Sequence, residues 1–314
     1  MKKSLKSDLM LLFVAFIWGT TFIIVQNAIA LLPPHSFNAV RFLVATIFLL
    51  IFALIWDRKN LFAIPKELWF AGIFLGVLLF IGYGAQTIGL LYTTAANAGF
   101  ITGLSVVLVP ILSYLILKEK LKSTSIIGVG LAAIGLYIMT MIGSVGINFG
   151  DFLIFFGAIF FALQIVYTGR YAPKYSAFIL ALLQIAVCGI LSLGAAIIFE
   201  DTTALLSIDV LLSFDVLLAI VITALFATSI AFLIQANFQR YSSPTKTAII
   251  FATEPVFAAL TSMVVLWQLL TWNVAIGGLL IFLGMILAEI PPDALTRPFK
   301  RQKEPKGSVK MKRD

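Results

Sequence analysis

The sequence predicts an all-α integral membrane protein of ten transmembrane helices, arranged as two inverted five-helix repeats, and three observations carry that prediction. Hydrophobic residues make up 61% of the chain and charged residues 11%, with a mean hydropathy of +1.08, whereas a soluble globular domain carries roughly 25% charged residues. The apolar residues gather into runs of about 20, the length that crosses a ~30 Å hydrocarbon core. The basic residues, finally, alternate between the connections that separate those runs.

The runs are 9–31, 36–56, 68–92, 96–117, 123–142, 151–170, 176–199, 215–238, 247–267 and 273–290. None alternates with period 2, so helices are the spanning structure that satisfies its own backbone. The first run follows Lys2, Lys3 and Lys6, and Ala28-Ile29-Ala30 near its end looks like a signal-peptidase site. It exceeds the ~7–15 residue apolar stretch of a signal peptide and is read as a retained helix.

Lysine and arginine are held on the cytoplasmic side. Of 22 such residues, 21 lie at the N-terminus, at 57–67, 118–122, 170–174 and 240–246, and in the tail, that is, in alternate connections. The exception, Arg41, sits inside the second run. The expected topology is multi-pass in a bacterial cytoplasmic membrane with both termini cytoplasmic.

A net charge of +8 and a pI of about 9.6 raise nucleic acid as a partner. The basic residues, however, form short clusters between apolar runs without stacking aromatics, which fits topology and not nucleic-acid binding. The lone Cys188 excludes an intramolecular disulfide and reads as a packing residue, and with the lone His35 it is a poor basis for a metal site. No cofactor is expected.

The two halves resemble each other. Ser7-Asp8-Leu9 through Trp18-Gly19 aligns with Gly150-Asp151-Phe152 through Phe161-Ala162 at a shift of 143, which sets Arg41 opposite Gln184. After a six-residue insertion the shift is 149, pairing Gln86 with Gln235, Tyr92-Thr93-Thr94 with Tyr241-Ser242-Ser243, Gly128 with Gly277 and Gly135 with Gly284. Five spans per half is an odd number, so the second copy enters the membrane from the opposite side. Such inverted repeats let a midplane site face either side in turn. The expected divisions are 1–143, 144–290 and a basic cytoplasmic tail at 291–314.

The chain resembles the drug/metabolite transporter superfamily, specifically its EamA-type ten-helix members. The resemblance covers residues 8–290 and rests on Phe16-Ile17-Trp18-Gly19-Thr20-Thr21-Phe22, Arg41-Phe42, the stretch Tyr92 to Thr102, Lys118-Glu119-Lys120-Leu121 and Glu254-Pro255-Val256. It implies a transporter. One departure is Gln268, where the family has an acidic residue after the ninth helix; Glu119, its first-half counterpart, reads as a structural or helix-capping element.

Polar groups inside the bilayer are the candidate site. An intramembrane arginine costs at least ~2.5–3.5 kcal/mol and persists only if it faces a cavity, pairs or snorkels. Arg41, near the outer end of its helix, either clamps backbone carbonyls or headgroups, or lines an outer vestibule where it holds a substrate carboxylate. Glu254 precedes Pro255, whose ring frees a backbone carbonyl; this coupling and helix-break site can bind a proton, a cation or a substrate amine, or else Glu254 faces cytoplasmic water or pairs with Lys246. The two are placed at opposite depths, with no salt bridge expected between them. Trp18 is too deep for an interfacial belt, and with Tyr83, Gln86, Asn97, Thr102, Gln164, Tyr167, Gln184 and Gln235 it frames a pocket of mixed aromatic and amide character. Each of these is also open to the plainer reading of an interhelical hydrogen bond. The Gly72/Gly76 and Gly99/Gly103 pairs read as close helix packing.

The sequence has no Walker-type phosphate loop and no soluble domain to hydrolyse a nucleotide, so gradients are the expected energy source. No catalytic residues are assigned, because neither a His/Glu metal pattern nor Gly-x-Ser-x-Gly occurs. A passive channel would favour a continuous polar stripe. The leading expectation is export of amino acids or related metabolites by alternating access, the alternative an efflux carrier for aromatic or cationic drugs. Proton coupling stays open, as do a monomer and a homodimer.

Overall fold

The computed structural model describes residues 2–141, 148–265 and 271–290; the position of Gln268, the basic tail and the predicted division at 143/144 lie outside them. The described residues form helices joined by short connections, without a strand among them. Ten helical stretches follow the predicted runs: α1 (Lys2–Ala28), α2 (Pro34–Trp56), α3 (Lys66–Gly89), α4 (Ala95–Gly103, then Ser105–Leu117), α5 (Ser123–Met141), α6 (Phe149–Tyr171), α7 (Ala177–Phe199), α8 (Phe214–Ile222, Thr223–Ile230 and Ala231–Phe238 in succession), α9 (Pro244–Phe251, then Glu254–Val265) and α10 (Trp272–Glu289). Seven helices among the described residues are long and apolar enough to cross a membrane; α5 and α10 contain shorter apolar helices, and α9 is divided. Large apolar side chains such as Ile55, Phe70, Ile198 and Val264 lie exposed on the outside of the bundle, as a lipid-facing surface requires.

Local chemistry sets the helix starts. Pro34 and Pro244 stand in the first turns of α2 and the first half of α9, where a missing N–H is harmless. Thr94, Ser176, Ser243 and Thr271 accept backbone N–H groups as N-caps, and Asn148 with Asp151 forms a reciprocal capping box on α6. Lys118 ends α4 in the left-handed region at φ 56, and Glu119 next to it accepts from Ser113 Oγ at 2.9 Å, a capping contact back onto the same helix.

The packing has the signature of a two-fold relation between the halves. A Cβ on Gly128 would meet Gly284 O at 2.7 Å, and one on Gly135 would meet Gly277 O at 2.5 Å. Position 128 therefore faces the counterpart of 135, and 135 faces the counterpart of 128, across an antiparallel α5–α10 pair. The helix 2 equivalents, α2 and α7, also pack on each other and are fastened at both ends. Glu200, just past α7, accepts from His35 N (2.7 Å), Ser36 N (2.8 Å) and Ser36 Oγ (2.8 Å) at the start of α2. Asp57, just past α2, accepts from Ser176 Oγ at the start of α7. These two acids are related by the shift of 143, and each stabilises a helix N-terminus by about 0.3–1 kcal/mol.

Close approach of α5 and α10 depends on glycine. Gly135→Ala is expected to destabilise the protein by about 1–3 kcal/mol, since the added methyl meets a backbone carbonyl that cannot yield. Gly130, with nothing within 4 Å of its Cβ position, provides the contrast: Gly130→Ala should leave the thermal midpoint in detergent unchanged or raised. Equal midpoints for the two variants would contradict this packing. Gly72 and Gly76 serve the same purpose between α3 and α7, against Leu183 and Val187.

Candidate functional site

Three helices depart from regular geometry at mid-length. Leu104 interrupts α4, and Ala252-Thr253 interrupts α9, positions related by the 149-residue shift. In α9 the cause is legible: Pro255 has no N–H to donate, and Thr253 Oγ1 turns back to Ile250 O at 2.6 Å. In α8, Thr223–Ile230 forms a π-helical turn, a feature frequent at functional sites. Two side chains from other helices hold it. Trp18 Nε1 donates to Ala227 O at 2.8 Å, and Arg41 Nε donates to Thr228 Oγ1 at 2.9 Å.

These irregular turns surround a central cavity with about 760 Å³ of non-atom space, open solvent at its mouth included. Its walls come largely from repeat-equivalent pairs: Trp18 and Phe161, Thr21 and Gln164, Phe22 and Ile165, Tyr83 and Phe232, Thr102 and Phe251, Ser105 and Glu254. Such pairing places the cavity on the relation that exchanges the two halves. Trp18 packs on Phe232 and Phe251 with ring centroids 5.5 and 4.9 Å apart, and Tyr83 meets Phe42 and Phe161 at 5.0 and 4.9 Å.

Two charges break the symmetry. Arg41 is 4% exposed, and its guanidinium lies over the rings of Phe42 and Tyr83 at 5.0 and 4.9 Å. It does not snorkel and, among the described residues, bonds no backbone carbonyl, because the aromatic faces and Thr228 hold it inward. Glu254 is 7% exposed. It neither faces bulk water nor pairs with Lys246: Lys246 Nζ lies 2.8 Å from Asp8 Oδ1, and Glu254 lines the cavity. One cavity reaches both Arg41 and Glu254. Among the described residues neither has an ion-pair partner. Gly19 admits this geometry, since its Cβ position falls on Glu254 O, where α1 crosses the break in α9.

Of the other residues singled out by sequence, Tyr83, Gln86, Thr102 and Gln164 line the cavity with Trp18. Gln86 Nε2 donates to Thr102 Oγ1 at 2.9 Å. Five residues lie elsewhere. Asn97 borders a separate polar recess with Gln26, Thr93 and Asn148, because it follows the N-cap of α4. Tyr167 packs on Phe74 and Tyr171, away from the cavity on the face of α6. Gln184 and Gln235 are fully buried in an amide chain through Gln164. Pro255 packs against Gly99 and Gly103 and shapes the break without lining the cavity. Thr21, Phe22, Phe161, Phe232 and Ser105 were missed. The repeat shift offered the signal for Phe161, the counterpart of Trp18, and for Ser105, the counterpart of Glu254. Among the described residues no group of three or more His, Cys, Asp or Glu could hold a metal ion.

The EamA-like transporter family model matches residues 5–141 and again 148–289. A relative from Archaeoglobus fulgidus, described as an uncharacterized transporter, is 39% identical over 92% of this chain and 87% of its own. The uncharacterized transporter YyaM of Bacillus subtilis is 28% identical over 91% and 94%. A solved crystal structure shares the fold with a TM-score of 0.76 at 19% identity, covering 93% of this chain and 99% of that one. Two matched copies of the family domain, spanning nearly all of a multi-pass helical bundle built around one internal cavity, make this chain a member of the EamA-like transporter family.

Proposed function

We propose that the protein is a secondary carrier for a small zwitterionic metabolite, an amino acid or related compound, working by alternating access. The observation that carries this reading is the pair Arg41 and Glu254: buried charges of opposite sign, without ion-pair partners among the described residues, on one aromatic-walled cavity. A buried charge without a counter-charge is costly. A solute with a carboxylate and an ammonium group supplies both missing partners, and the rings of Trp18, Phe22, Tyr83 and Phe232 cover its apolar part. The placement of lysine and arginine supports a bacterial cytoplasmic membrane topology with both termini cytoplasmic, and export is the direction proposed with it. In the absence of bound substrate a proton on Glu254 serves as its neutralising partner, which gives a route to proton coupling.

Efflux of aromatic cations is the second reading, favoured by the aromatic walls and Glu254 together, although Arg41 repels such a solute. The test is flux into proteoliposomes, with and without a pH gradient, of labelled amino acids against aromatic cations. Saturable amino-acid flux that an excess of unlabelled amino acid suppresses is the expected result. Saturable flux of cations alone would replace it with the drug-efflux reading, and unsaturable flux of everything would make the protein a channel.

A further inference from the structure

The cavity is not symmetric along its length. It reaches Val25, Thr87 and Leu90, toward the end of the bundle where Ala28 and Gly89 lie. The repeat counterparts of these three, Thr168, Ala236 and Gln239, lie toward the opposite end; each is fully buried and none borders the cavity. Val25, Thr87 and Leu90 are buried as well, at 7%, 2% and 3% exposure, but the cavity extends to them and stops short of the equivalent end, which is closed.

What shuts it is visible as a chain of side-chain amides. Gln235 Nε2 of α8 donates to Gln164 Oε1 of α6 at 3.1 Å and to Gln239 Oε1 at 3.2 Å. Gln164 Nε2 donates to Gln184 Oε1 of α7 at 3.1 Å, and Gln239 Nε2 donates to Ile165 O at 2.6 Å. Three helices are thereby tied across the closed end. Their counterparts in the first half are not tied to one another. Thr21 bonds within its own helix, Gln86 turns to Thr102, and Arg41 turns to Thr228.

We infer that the amide chain Gln184–Gln164–Gln235–Gln239 is the seal of the closed end, and that it must part for the cavity to open there. Two features suit it to that task. Gln184 Nε2 and Gln235 Oε1 are buried without hydrogen-bond partners among the described residues, so the seal leaves one donor and one acceptor unsatisfied and does not over-stabilise the closed state. Gln164 belongs both to the seal and to the cavity wall. A solute that bonds its amide competes with Gln235 or Gln184 for the same atoms, which links occupancy of the site to release of the seal.

This inference rests on the carrier reading for its purpose, but its test requires no substrate. In a Cys188→Ser background, Val25→Cys reports on the end that the cavity reaches and Thr168→Cys on its sealed counterpart. Both are labelled with N-ethylmaleimide in detergent, where the reagent reaches either end. Val25→Cys should react faster than Thr168→Cys by about tenfold or more, as expected when one conformer dominates. Adding Gln235→Ala, or independently Gln164→Ala, should speed labelling at Thr168→Cys and slow it at Val25→Cys. Opposed changes mark a shift between two folded states, whereas unfolding speeds both. Unchanged labelling at Thr168→Cys in both folded variants, or acceleration at both sites, would overturn the inference. Absence of saturable flux in the native protein, with the opposed labelling intact, would count against the carrier reading alone.

Discussion

Arg41→Gln is expected to raise the half-saturation concentration for an amino acid by about 10–150-fold, the equivalent of the 1.5–3 kcal/mol carried by a hydrogen bond to a charged group. The guanidinium is held by Thr228 Oγ1 and by two aromatic faces. It is preorganised, so little of the binding energy goes into fixing it. Arg41→Lys should not restore affinity. Lysine keeps the charge but lacks the planar group that stacks between Phe42 and Tyr83 and bonds Thr228 through Nε while presenting its remaining donors to a carboxylate. The control is a solute whose carboxylate is replaced by a neutral amide. Its flux should respond little to either substitution, and an equal loss for acid and amide would assign Arg41 to the architecture of the α2–α8 contact.

The bilayer makes some of this molecule easy to read and hides the rest. Apolar runs of membrane length and alternating lysines were enough to locate the helices, and matching Gln, Gly and Asp positions revealed the repeat. Rotation of each helix about its axis was not accessible. Lipid and neighbouring helices are both apolar, so the face of α6 that carries Tyr167 looks no different in sequence from the one that carries Gln164. That ambiguity misplaced Tyr167, Gln184 and Gln235, and it concealed Phe161 and Phe232 among 28 phenylalanines.

Breaks were legible only where a residue enforces them. Pro255 announces the one in α9. The π-helical turn in Thr-Ala-Leu-Phe-Ala-Thr-Ser-Ile contains neither proline nor glycine. It is stabilised from outside, by Trp18 at Ala227 O and by Arg41 at Thr228, and by Ser229 Oγ, which donates to Ala224 O within α8 and to Ala45 O of α2. Tertiary contacts of that kind have no signature in a single helix. Trp18 and Arg41 were recognised as unusual for their depth and charge, but their shared partner on α8 emerges only from the fold.

Glu254→Gln gives the second large effect and separates the two charges. The substitution keeps size and hydrogen-bonding capacity while removing the anion, so a solute ammonium group loses its counter-charge in a site largely closed to water. The expected rise in half-saturation concentration for an amino acid is again about 10–100-fold, within the range for a buried charge-assisted contact. The informative comparison is with a desamino analogue that keeps the carboxylate. It should be transported by Glu254→Gln at least as well as by the native protein, because the anion that repels it is gone, whereas Arg41→Gln should abolish its flux. Opposite responses of the amide and desamino solutes to the two variants would place each charge at one end of the solute. If Glu254→Gln instead lowers the maximal flux of every solute equally and removes the effect of a pH gradient, Glu254 carries the coupling proton, and Arg41 together with the aromatic walls accounts for recognition.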